Sequence, residues 1–201
     1  MEKVDGRTKL LEVGTRLFAE RGLNGVSIRE LAQEAQTSIS MISYYFGSKE
    51  GLYCEVLRQQ FASFKEIHQI REQVSDPVAM IEEYLRWTFR RHRNNPHLLR
   101  FYTSELTNPT PFFEPIVMPV IDEVIVAMAE VIEEGKKRKQ FRDDVQPTNA
   151  ALALAGMVNY FFLSLLATEN LINHSPEQDE QLVHQYLSIF TRGVSCEPPP
   201  I

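Results

Sequence analysis

The chain has 201 residues, 43% hydrophobic and 24% charged, a globular composition with material for one large domain or a small one joined to a larger one. Its net charge of −6 does not announce a nucleic-acid partner, but the deficit is uneven. Residues 1–50 hold seven Lys or Arg and seven Asp or Glu, and residues 51–201 hold fourteen and twenty. The charged start MEKVDGRTKLLE excludes a secretory hydrophobic region. Cys54 and Cys196 have neither the spacing of a zinc motif nor the number of a disulfide framework, which fits a reducing cytoplasm.

Leu10, Gly14, Leu17 and Phe18 recur at helical spacing and predict a first helix ending at Arg21, with Gly22 as a left-handed C-terminal cap. Ser27 and Glu30 form an S-x-x-E capping box, and Val26 can staple onto Leu31. Ile28, Leu31, Ala32 and Ala35 then make the stripe of a short helix over roughly 28–36. Next comes TSISMISYYFGSKEGL, Thr37 to Leu52. Beyond it, Ser48 caps a fourth helix carrying Tyr53, Val56, Leu57 and Phe61. Asp76-Pro77 is a capping carboxylate followed by a proline at the first helical position.

The helix that follows has one stripe of Val78, Ile81, Leu85, Thr88 and Phe89, and an offset one of Met80, Tyr84, Trp87 and Arg91. A short helix over 97–106 ends at Asn108-Pro109. A long helix carries Phe113, Val117, Val120, Ile121, Val124, Met128 and Val131, with a kink expected at Pro119. Pro147 opens a helix that is apolar all round from Ala150 to Leu166. The apolar run from Ala150 to Ala167, 18 residues, is just long enough to span a bilayer, but Asn159 and Ser164 interrupt it, so it reads as a buried helix. A last helix carries Leu182, Val183, Tyr186, Leu187 and Phe190. The fold class expected is all-α.

The segment Thr37–Leu52 admits two readings. Ser38, Ser40 and Ser43 interleave with Ile39, Met41 and Ile42, which mimics a strand. Yet nothing else in the chain supplies a partner, and a lone strand is not stable. As a helix, the segment puts Ile42 and Phe46 one turn apart, facing the preceding stripe. Ser40 and Tyr44 then lie near the opposite side, flanked by Met41 and Ser43. Two short helices joined by a tight turn at 36–38 describe a helix-turn-helix, whose second helix enters the major groove.

The run GLNGVSIRELAQEAQTSISMISYYFGSKEGLY resembles the N-terminal domain of the TetR/AcrR family of bacterial repressors. The matching positions include Phe18, Gly22, Ser27, Ile28, Leu31, Ala32, Ala35, Ile42, Tyr44, Phe46, Ser48, Lys49, Glu50 and Leu52. The resemblance implies a three-helix DNA-binding domain over 1–50, with a fourth helix over 48–72 linking it to a ligand-binding and dimerisation domain over 51–201. It also implies a homodimer, a palindromic double-stranded DNA operator and a small-molecule effector. Many members carry Tyr where this chain has Ser43, and that Tyr usually touches the DNA backbone. Here Ser43 reaches less far, and Tyr44 or Tyr45 can take over the contact.

Phosphate contacts orient a reading head and base-edge contacts give it specificity. Lys49, in the first turn of the fourth helix, suits a phosphate. Tyr44 and Tyr45 can donate to phosphates, with core packing as the other reading for Tyr45. Ser38, Ser40 and Ser43 can hydrogen-bond base edges or phosphates. Ile39 and Met41 can meet thymine methyls, with packing on the second helix as the other reading for Ile39. Arg29 is a backbone-contact candidate. The reading helix has no Arg, Asn or Gln, so methyl contacts, water and DNA shape are expected to supply much of the specificity.

In the body, Tyr84, Trp87, Arg91, Phe101, Tyr102, Glu105, Phe113, Met118, Asn159 and Phe162 are candidate lining for a greasy, partly polar ligand; ordinary core is the competing reading. By resemblance, Leu163, Leu166, Leu182, Tyr186, Ile189 and Phe190 are candidates for a four-helix dimer interface, again against intrachain core. The basic run Lys136–Lys139 reads as a helix end rather than a nucleic-acid patch. The five histidines show no metal-ligand spacing, and no phosphate loop, nucleophile elbow or paired-carboxylate motif appears. No enzyme, cofactor, metal or membrane association is expected.

Overall fold

The computed structural model describes residues 5–62, 66–165, 167–168, 170–173 and 175–196, the side chain of His68 excepted. Among these residues all extended regular structure is helical, and the one β-bridge pairs Phe141 with Ser195. The chain forms two compact units. One takes Met1–Ser63 with His97–Val120, and the other takes Phe64–Pro96 with Ile121–Ile201. The first unit therefore holds more chain than the 1–50 head read from the sequence.

In the first unit, α1 spans Gly6–Arg21, α2 Ile28–Glu34, α3 Ile39–Phe46, α4 Lys49–Phe61 and α7 Leu98–Thr107. The fourth helix expected over 48–72 falls on α4 and on α5, Glu66–Gln73, and residues 63–65 of that span lie outside the described residues. Leu10, Leu17, Phe18, Leu31, Ile42, Leu52, Leu57 and Phe101 are buried in this unit. The sequence signals act as expected at the start of α2. The Ser27 hydroxyl accepts from the Glu30 N–H, and the Glu30 carboxylate accepts from the Ser27 N–H. Those bonds, with Arg21 beside them, hold the Glu30 carboxyl down at about 2. Gly22 has the positive φ expected, 68°, but with ψ at 174° it is extended rather than left-handed helical, a region open essentially to glycine alone.

The long helix expected from Phe113 is divided. Phe113–Val117 is a π-helical turn, and α8 runs from Met118 to Lys137. The cause is local. Pro115 and Pro119 remove two donors, and the Pro119 ring crowds the carbonyl four residues back. The wider turn, closed by the Met118 N–H on the Phe113 carbonyl, relieves that crowding.

In the second unit, α6 spans Pro77–Asn94, α9 Pro147–Leu163 and α10 Asp179–Val194, alongside α5 and α8. Ile81, Leu85, Phe89, Met128, Ile132, Phe141, Leu154, Val158, Phe161 and Val183 form its core. Asp76 caps α6 by accepting from the Ala79 N–H at 2.9 Å, and Pro77 and Pro147 open their helices as expected. The basic run closes α8: Lys136 donates to the Val145 carbonyl, and Lys139 pairs with Asp143. Lys139 takes φ 59°, and the chain then turns Phe141 into the core beside Gly135.

Candidate nucleic-acid interface

The turn between α2 and α3 sets the direction of the reading helix. The Thr37 N–H donates to the Ala32 carbonyl at 2.9 Å, and the Gln36 N–H donates to the Gln33 carbonyl at 3.1 Å. This is a Schellman closure, with Gln36 at φ 52° where glycine is the usual occupant. Ser38 then starts α3 from an extended conformation, but its hydroxyl does not cap the helix. It pairs instead with the Ser40 hydroxyl at 2.6 Å.

Ile42 is fully buried and fastens α3 to the head, while Phe46 is half-buried under the Arg7 guanidinium, 5.4 Å from its ring centre. Arg7 in turn donates to Glu55 of α4 at 2.8 Å. The far side of α3 is open. Ser38, Ser40 and Ser43 are exposed, Tyr44 is 78% exposed and Ile39 is 42% exposed, with Met41 half-buried between them. Tyr45 turns back: it is half-buried, packs edge-on to Tyr44 and reaches the Asp5 carboxylate at 3.5 Å. Burial and Asp5 together raise its phenol above the usual value.

Arg29, at the start of α2, is exposed and enters none of the ion pairs among the described residues. The other arginines of α1 are engaged, Arg16 with Glu34 and Arg21 with Glu30. Lys49 is more occupied than its sequence position implies. Its ammonium donates to the Leu23 carbonyl at 2.8 Å and to the Val26 carbonyl at 2.9 Å, pinning the α1–α2 loop to the start of α4. Gly51 also went unmarked in the sequence. A Cβ there would lie 1.9 Å from the Phe46 carbonyl oxygen, so only glycine lets α4 start this close to the end of α3. Its signal was the G of SKEG, beside the Ser48 cap.

A family model described as bacterial regulatory proteins, tetR family, matches residues 10–56. A second, tetracyclin repressor-like C-terminal domain, matches residues 77–186, over half of the chain. The chain belongs to the tetR family of bacterial regulatory proteins. Its head is thus a DNA-binding helix-turn-helix of a transcriptional regulator. A curated relative is the HTH-type transcriptional repressor NicS of Pseudomonas putida, 27% identical over 161 residues, covering 79% of this chain and 76% of that one. Another is the HTH-type transcriptional regulator RutR of Escherichia coli, 29% identical over 132 residues, 63% of this chain and 62% of that one. Among solved structures, the ketosteroid regulator KstR2 of Mycobacterium tuberculosis shares the fold with a TM-score of 0.78 at 21% identity, covering 98% of each chain. AibR, solved with isovaleryl coenzyme A and operator DNA, shares it with a TM-score of 0.74 at 17% identity, over 92% of this chain and 97% of that one.

In this tetR-family chain, the residues read as ligand lining divide between the units. Phe101, Tyr102, Glu105, Phe113 and Met118 lie in the first, and Tyr84, Trp87, Arg91, Asn159 and Phe162 in the second. Phe101 and Glu105 are buried, Tyr102 and Phe113 half-buried, and Met118 exposed. Tyr84, Trp87 and Arg91 are buried; the Arg91 guanidinium lies over the Trp87 ring, and burial lowers its pKa to about 10. Asn159 bonds the ring of His92 at 3.0 Å, with Phe162 stacked beside it. Two clefts described in the second unit, of about 200 and 150 Å³, are lined by none of these residues and fall below the roughly 300 Å³ of a drug-sized site.

The expected interface residues also separate. Leu163 and Ile189 are exposed, Leu182 and Tyr186 are half-buried against the core, and Phe190 is buried within its own chain. Leu166 lies outside the described residues. Leu152 and Tyr160 are two further exposed apolar residues on α9. The helix is apolar all round, so periodicity gave no outward face. Glu82, Glu180 and His184 come close together, but the Arg86 guanidinium bonds both carboxylates and occupies the place a cation would take. No described helix is long and apolar enough to cross a membrane.

Proposed function

We propose that this chain is a homodimeric transcriptional repressor whose two α3 helices enter successive major grooves of a palindromic operator, and that a small hydrophobic effector releases it. The observation that carries the reading is the open face of α3. Ser38, Ile39, Ser40, Met41, Ser43 and Tyr44 form an uncharged surface held out by buried Ile42. Ser38, Ser40 and Ser43 offer hydroxyls to base edges or phosphates, and Ile39 and Met41 offer apolar contact to thymine methyls. Tyr44, Tyr45, Arg29 and the remaining N–H of Lys49 supply phosphate contacts.

Dimerisation is supported by the exposed apolar stripe of α9, with Tyr160 at 71%, and by Ile189 of α10 at 62%. Effector binding is supported by the aromatic, amide and cationic side chains around Trp87 and Asn159, and by the small molecule named with AibR. An effector acts only through unequal affinity for two states, so it must prefer the form that does not bind DNA. The deciding experiment is selection of bound sites from a random DNA pool. A palindrome with half-sites about 34–36 Å apart is expected. Recovery of no shared sequence by a dimeric chain would favour a protein-interaction module instead.

A further inference from the structure

Glu105, on α7, is fully buried. Taking a carboxyl group out of water is costly unless its lone pairs are filled. Here they are filled from two directions. The Tyr53 hydroxyl, from α4, donates to Oε1 at 2.5 Å. The Thr110 N–H donates to Oε2 at 3.1 Å, and the Thr110 hydroxyl lies 2.9 and 3.0 Å from the two oxygens. None of the ion pairs among the described residues includes Glu105. An aliphatic side chain at 105 would leave the Tyr53 hydroxyl and the Thr110 N–H without this acceptor, so the acid acts as a tie between α4 and the loop after α7.

Both ends of this tie are stiff. The Tyr53 ring packs edge-on to Phe18 of α1 at 5.1 Å and lies 6.1 Å from Phe101 and 6.0 Å from Phe112. Burial pushes its phenol well above the usual range, and the hydrogen bond to Glu105 adds to that. Thr110 sits between Pro109 and Pro111, whose rings fix the backbone, and its hydroxyl also accepts from the Phe112 N–H at 3.2 Å. The middle of α4 is thereby tied to the loop that leads into the π-helical turn.

We infer that Glu105 is a positioning residue for operator binding. Through Tyr53 it fixes α4, and with it the reading helix α3 that precedes α4, against the segment Leu98–Val117 of the same unit. A head held this stiffly accepts one operator spacing and rejects others; a loosened head tolerates several. The inference rests on the operator-binding dimer proposed above.

The test uses the full chain, with fluorescence anisotropy on the selected operator and on versions with one base pair added or removed between the half-sites. Tyr53→Phe, Glu105→Gln and Thr110→Val are compared with wild type. Tyr53→Phe and Glu105→Gln should each lower the discrimination between spacings by about tenfold, with the salt dependence unchanged. The double variant should be no worse than the poorer single one, because both act on one shared tie: Tyr53→Phe deletes a donor, and Glu105→Gln leaves one acceptor oxygen where two accepted from Tyr53 and Thr110. Unchanged discrimination in a folded variant, or an equal loss at every spacing, overturns the assignment. If Glu105→Gln does not fold, Tyr53→Phe, which keeps the ring, decides alone. A wild-type chain that binds no selected site removes the operator reading and this inference together. A binding wild type with insensitive variants removes the inference alone.

Discussion

The ammonium of Lys49 lies 2.8 Å from the Leu23 carbonyl oxygen and 2.9 Å from that of Val26. Two of its three N–H bonds therefore close the α1–α2 loop onto α4, and one remains for a phosphate. Lys49→Met should do two separable things. Loss of two charged hydrogen bonds should cost about 1–3 kcal/mol in urea unfolding. Loss of one phosphate contact should reduce the slope of log affinity against log salt by about 0.9. A stability loss with an unchanged slope assigns Lys49 to the loop alone.

Gln36 holds a left-handed conformation, φ 52°, at the closure of α2. That conformation costs a non-glycine residue roughly 1–2 kcal/mol, while glycine adds entropy to the unfolded chain. The balance favours glycine slightly. Gln36→Gly should raise stability by up to about 1 kcal/mol and leave operator affinity within twofold, since Gln36 is exposed and precedes the reading face. A lower melting temperature would count against the Schellman closure.

The exposed face of α3 separates reading from anchoring. Met41→Ala should change preference among operator variants by about 1 kcal/mol at one position. Tyr44→Phe should weaken all variants alike, because it removes a hydroxyl and keeps the ring. Equal weakening by Met41→Ala across every variant would make Met41 a packing residue.

How much of this was readable beforehand depended on whether a local signal existed. The Ser27–Glu30 box, the Ser48 and Asp76 caps and the prolines at 77 and 147 are short-range devices, and each marks its helix start where expected. Ile42 was legible because it stands one turn before Phe46, on the side that faces the apolar stripe of α2. Gln36 carries no turn signal, since the residue is common in helices and its backbone is set by the closure. The partners of Lys49 and Glu105 lie 23 or more residues away, or across a proline-bounded loop, and no spacing rule reaches them. The division of the body into ligand lining and core was not readable, because aromatic stripes obey the same period in both.

His92 titrates out of its ordinary range. Burial pushes its pKa from 6.5 down to about 4, against the hydrogen bond to Asn159, and Arg91 lowers it further. Between pH 6.5 and about 4 the unfolded chain binds a proton that the folded chain refuses. Stability is therefore full above pH 6.5 and falls as pH drops, by about 1.4 kcal/mol per unit and about 3 kcal/mol in all. His92→Gln keeps a donor for Asn159 and removes the titration. Its urea midpoint should vary less with pH across that window than the wild-type midpoint; parallel curves would place the acid sensitivity elsewhere.

Tyr160 and Phe190 make opposite forecasts from similar side chains. Tyr160 is exposed on α9, so on a single chain its replacement should change stability by no more than about 0.5 kcal/mol. If α9 meets its copy, Tyr160→Glu places like charges in that contact and should weaken dimerisation by about 30-fold or more. Light scattering should then report a folded monomer, with operator affinity lost because one head holds only a half-site. Phe190 is buried among Phe89, Phe161 and Val183 in the core of its own unit. Phe190→Ala should instead cost about 3–5 kcal/mol of folding stability, with the surviving folded protein still dimeric. A dimer that persists through Tyr160→Glu together with Ile189→Glu would move the interface off α9 and α10.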